Sequence, residues 1–164
     1  MSETLRPGPT ERALLLMLRL SIGWVFLWAA IHHYGDASYV AGFLSHTKTF
    51  HPIYGALAQS AFLPVIAVLV EYGHLLIGLS LISGLLVKAS APFGAAMMLL
   101  YWTAHMDYPY IDTINNLMID EHVVYALLLG YLIVRRAGHV WGLDGWASRL
   151  LTVRAHPGLR WLTA

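Results

Sequence analysis

The 164-residue chain contains no cysteine. That excludes disulfides, thiolate zinc sites, iron–sulfur ligation by this chain and a cysteine nucleophile together. Charge is scarce as well. Asp, Glu, Lys and Arg make up 12% of the residues, where an ordinary soluble domain carries about 25%. The formal net charge is +1, so no global basic field exists to draw nucleic acid. What is plentiful is apolar: 58% of residues are hydrophobic, and the mean hydropathy is +0.61. This is the composition of a small, single-domain integral membrane protein. Any chemistry must rest on His, carboxylate, Tyr or Arg.

Apolar runs extend from Leu14 to Ile31, Phe62 to Val87, Ala89 to Thr103 and Leu117 to Val134. A bilayer core takes roughly 20 helical residues. The third run is short and must draw on its flanks. Lipid offers backbone groups no partner, and continuous runs of this kind make helices rather than barrel strands. The expected fold is all-α: a four-transmembrane-helix bundle over residues 12–137, after a polar N-terminus (1–11) and before an amphipathic tail (138–164). The Thr4 to Arg12 stretch lacks the form of a cleavable signal, which predicts an uncleaved first helix. Gly73, Gly78, Ser80, Ser83 and Gly84, then Gly94 to Ala96, either let helices approach closely or reflect composition alone.

Charge placement predicts an orientation. Every arginine lies toward one of the two ends: Arg6, Arg12 and Arg19, then Arg135, Arg136, Arg149, Arg154 and Arg160. Between them the cations are Lys48 and Lys88, while Asp36, Glu71, Asp107, Asp112, Asp120 and Glu121 fall in or beside the first and third loops. Positive-inside logic puts both termini and the Lys88 loop in the cytoplasm of a multi-pass cell-membrane protein. The first loop, Gly35 to Ala61, is long enough for two short segments broken near Pro52. After Gly138 the tail carries Trp141, Trp146, Leu150, Leu151 and Val153 between arginines, the pattern of an interfacial helix on the inner leaflet.

Charged residues inside a span are expensive and usually face the bundle interior. Arg19 could hold an anionic or quinone oxygen, partner a buried acid, or snorkel to the interface. Glu71 and His74, three apart, share a helix face and could relay protons or hold a metal. Glu-x-x-His is also the repeating unit of di-iron bundles, but it occurs once here. Asp120, Glu121 and His122 open the fourth run, where acids are stabilised by free backbone N–H groups. His122 lies one turn before Tyr125, and His105 closes the third run. With Tyr34, Tyr72 and Tyr101 these groups form one layer on the outer side, although an aromatic belt at the headgroups accounts for the tyrosines equally. Histidine titrates near neutral pH and is the commonest metal ligand. A haem would take axial ligands at matched depth, and His74 with His122 is the pair that could supply them.

Several stretches together carry a resemblance: Leu18 to Trp24, Gly73 to Gly84, Met97 to Trp102, Ile119 to Ala126 and Ala137 to Asp144. On these the chain resembles the DoxX/DoxD-like family of four-helix membrane proteins, most of all its archaeal members, from roughly Arg12 to Asp144. The resemblance implies a subunit linked to thiosulfate:quinone oxidoreductase activity, which passes electrons from a small sulfur reductant to membrane quinone. It implies a second protein subunit too. Arg19, Glu71 and His122 sit where a family site is expected. With His74 they are the candidate catalytic residues, and Tyr72, His105, Glu121 and Tyr125 are the candidate binding residues. Two other readings stay open at this point: a structural or assembly subunit of a respiratory complex, and a haem- or metal-binding membrane protein.

Overall fold

Each apolar run becomes a helix, though not always within the expected limits. The computed structural model describes residues 7–33, 35 and 37–163; Arg6, Tyr34 and Asp36, assigned above by sequence, lie outside the described residues. The first run is α1 (Pro9–His33). The first loop folds into α2 (Ala37–Ser45) and α3 (His51–Ala58). Pro52 occupies the first turn of α3, where its missing N–H costs nothing. The second and third runs are α4 (Leu63–Ser83) and α5 (Val87–Ala104). They part at Gly84, which takes the left-handed conformation at φ 68° that glycine adopts without strain.

The third loop holds an antiparallel three-stranded meander of β1 (Met106–Asp107), β2 (Tyr110–Ile111) and β3 (Thr113–Leu117). The fourth run therefore does not start its helix at Leu117. That residue belongs to β3, and α6 (Glu121–Val134) begins where the Asp120 carboxylate accepts the His122 N–H at 3.0 Å. The tail is a 3-10 turn (Ala137–His139) followed by α7 (Leu143–Ala147), α8 (Leu151–Ala155) and α9 (Pro157–Leu162). Three short helices thus replace the single interfacial helix expected from composition. Pro157 opens α9, and the residue before a proline is held out of the helical region.

The long helices pack antiparallel, α1 against α4 and α5 against α6. Gly23 faces Leu81 and Ile82, and Gly78 faces the backbone of Leu27. A Cβ at Gly78 would stand 2.7 Å from the Leu27 nitrogen, so the contact exists because Gly78 has no side chain. Gly78→Val should push α1 from α4 and cost about 1–3 kcal/mol. Thermal unfolding of the purified protein checks this, and an unchanged midpoint would contradict it. Leu15, Ile22, Phe26, Leu81, Leu129 and Leu132 form the buried centre.

The outward faces are apolar too, with Leu14, Met17 and Trp24 on α1 and Val65, Leu69 and Leu76 on α4 exposed. Helices α1 and α4 are long and apolar enough to cross a membrane, yet only 33% and 28% of those spans is buried. The core helix of a soluble protein hides far more of itself. At 1.5 Å per residue α1 reaches about 37 Å and α4 about 31 Å, against a bilayer core of about 30 Å.

One end of the bundle is tied together by Arg19. Its Nη1 donates to the Ala137 carbonyl at 2.6 Å and the Val140 carbonyl at 3.1 Å. Asp144 brings the counter-charge and accepts the Leu86 and Val87 N–H groups at 2.7 and 3.2 Å. Arg135 pairs with Glu11 at the same end.

Candidate functional site

At the opposite end, the acidic one, α1, α4, α5 and α6 enclose a cavity of about 530 Å³, with α2 across it. Phe26, Val40, Phe43 and Met98 supply apolar walls. The polar wall is a row of rings. His74 Nδ1 lies 2.8 Å from the Val70 carbonyl. A carbonyl only accepts, so Nδ1 carries the proton and Nε2 is left to accept. The Tyr101 hydroxyl donates to that Nε2 at 3.4 Å. The Tyr101 ring stacks on His74 with centroids 5.6 Å apart and meets His122 edge-on at 5.8 Å.

His122 Nδ1 donates to Asp120 at 2.9 Å. Asp120 is buried, and its other oxygen caps α6, so one carboxylate both starts the helix and orients the imidazole. His105 repeats the arrangement, with Nδ1 on Asp112 at 3.0 Å. The His105 and His122 rings lie 5.0 Å apart. All three imidazoles are therefore held by an oxygen at Nδ1, which fixes the tautomer and leaves Nε2 as the working atom.

Glu71 stands at the edge of the cavity and accepts the Gly35 N–H at 3.2 Å, tying α4 to the turn before α2. His33 stacks on Tyr39 with centroids 3.5 Å apart. A second cavity of about 420 Å³ lies between α2 and the meander, and His105, Tyr39 and Phe43 line both. Its rim holds the Lys48–Asp107 pair at 2.7 Å. The hydrogen bond to Asp107, then its charge, raises the Lys48 ammonium above the ordinary lysine value.

No family model, no curated protein and no solved structure matches this chain.

Of the residues singled out by sequence, the cavity gathers Glu71, His74, His105, Glu121, His122 and Tyr125. Arg19 is not among them. It is 1% exposed at the other end of the bundle, where backbone carbonyls and Asp144 use its charge. Its hydrogen bonds go to backbone carbonyls, and Asp144 acts on it only at longer range, without a direct ion pair. Tyr72 does not reach the cavity either. It follows Glu71 by 100° around the helix and lies half-exposed on an outward apolar groove.

Tyr101, placed by sequence in the outer layer but given no site role, also lines the cavity. Sequence alone treats Asp120 only as a cap and leaves Asp112 unassigned. His74 Nδ1 is held by the Val70 carbonyl and its Nε2 meets the Tyr101 hydroxyl at 3.4 Å, so a metal at His74 would displace Tyr101. Asp120, Glu121 and His122 bring possible ligand atoms within 4.8 Å of one another.

Proposed function

We propose that the chain crosses the cell membrane four times with both termini cytoplasmic, and that the cavity is a quinone site in a DoxX/DoxD-like oxidoreductase subunit. The membrane reading draws on the exposed apolar faces of α1 and α4 and on the cationic and acidic ends of the bundle. The observation that carries the quinone reading is the row of anchored rings, His74, Tyr101, His122 and His105, along one wall of a largely apolar cavity. A quinone has a flat apolar ring with two carbonyl oxygens. Its reduction takes two electrons and two protons, one proton to each oxygen. This chain supplies the proton side. The electrons come from a reduced sulfur compound by way of a second, redox-active subunit.

His122, protonated on both nitrogens with Nδ1 held by the Asp120 carboxylate, donates from Nε2 to one quinone oxygen, hands it that proton and returns to the neutral Nδ1–H imidazole. The Tyr101–His74 pair serves the other oxygen. His105 and Asp112 connect His122 to the second cavity and so to the water beyond it. Glu71 exchanges protons at the edge. Membranes carrying His122→Ala and Glu71→Gln test this through thiosulfate-driven reduction of decylubiquinone. His122→Ala should lose about 100-fold or more, and Glu71→Gln less. Normal rates in both would contradict the reading.

A further inference from the structure

We propose that the groove between α4 and α5 holds the isoprenoid tail of a quinone whose head sits in the cavity, which rests on the quinone reading above. The groove has a volume of about 910 Å³, larger than the cavity. From Ile66 to Ser83 it follows α4 for about 26 Å, taking 1.5 Å per residue. Ile66, Leu69, Leu76 and Phe93 wall it, while Gly73 and Ala96 keep it deep.

Continuity with the cavity selects the occupant. Val68, Val70 and Tyr101 line both spaces. Tyr101 is the hinge between them: its hydroxyl bonds His74, and its side chain also borders the groove. A ligand fitting both spaces has a compact polar head on a long, unbranched-in-path hydrocarbon chain without polar atoms. A prenylated quinone is such a ligand. The groove opens on the outward apolar face, so the tail enters sideways from the bilayer and the head follows past Tyr101.

The test compares ubiquinone-1 with ubiquinone-4 for binding to the purified full chain in lipid nanodiscs, at equal mole fractions in the lipid. The wild type should hold ubiquinone-4 about tenfold more tightly, a difference of about 1.4 kcal/mol. Ala96→Trp, at an exposed position on the groove floor, should abolish that preference and leave ubiquinone-1 affinity unchanged. Leu76→Trp should do the same from the α4 wall. If ubiquinone-1 binds the wild type but the longer tail adds nothing, or the preference survives both tryptophans, the groove holds bilayer lipid and the inference is wrong. If neither quinone binds, the head site fails and the tail groove falls with it.

Discussion

Asp144→Ala is expected to cost the protein about 2–4 kcal/mol, the loss expected when backbone donors are left unpaired at a buried position and a nearby buried cation loses a favourable charge. Asp144 is 2% exposed and Arg19 is 1% exposed. The carboxylate does two things at once. It takes the Leu86 and Val87 N–H groups at the start of α5, and it balances a guanidinium inside the bundle. Alanine strands both donors and leaves the cation without a counter-charge. The Arg19 Nε already lacks a hydrogen-bond partner, so it has no spare contact to fall back on. Arg19→Leu should also destabilise, because the Ala137 and Val140 carbonyls lose their donor. The double variant Arg19→Leu/Asp144→Ala should lose less than the sum of the two, since no unbalanced charge remains. Thermal unfolding in one detergent measures all three. Strict additivity, or an Asp144→Ala protein as stable as wild type, would show that the pair does not hold this end.

Asp120→Asn is expected to lower quinone reduction by about 10²–10⁴-fold, the range for a positioned proton-transfer group, with little loss of fold. The reason is the charge the ring must carry. In the wild type the Asp120 carboxylate accepts from His122 Nδ1, which gives the imidazolium proposed as the proton donor a negative neighbour. An asparagine can still cap α6 through its side-chain oxygen. Its NH₂ would then face Nδ1 and force it to accept, so the ring is held neutral and the imidazolium loses both its Nδ1 acceptor and its negative neighbour. Circular dichroism and quinone affinity near those of wild type, with a collapsed rate, are the expected combination. A normal rate would mean that His122 does not carry the proton. A rate that falls only because binding falls would make Asp120 a structural residue.

The helices were legible because lipid-compatible runs are long and local. Leu14 to Ile31 and Phe62 to Val87 needed no partner to be read as helices. The meander was not legible: β1 and β2 have two residues each, too short for an alternation to show. The end of the fourth run misled for the same reason, because Leu117 is apolar and yet pairs in β3 with Tyr110. Glu71 with His74 was legible because a spacing of three puts two side chains on one face. Arg19 was conspicuous for the right physical reason, a charge in an apolar run, but the Ala137 and Val140 carbonyls that hold it lie beyond α6. Which groups meet a buried arginine is decided by tertiary packing, and spacing does not reveal it. Tyr101 was named in the outer layer, but its hydrogen bond to His74 joins α5 to α4, and spacing within one helix does not reveal a partner on another. The outward turn of Tyr72 was readable from its 100° offset from Glu71.

The central claim is that the ring-lined cavity binds quinone. It is tested most directly by purifying the full chain in mild detergent and measuring, by mass spectrometry, the quinones and proteins that remain bound. The account predicts a stoichiometric prenylquinone in the wild type, markedly less of it in His122→Ala, and a partner subunit with its own redox centre. A protein that carries no quinone and takes up none when ubiquinone-1 is supplied would contradict it.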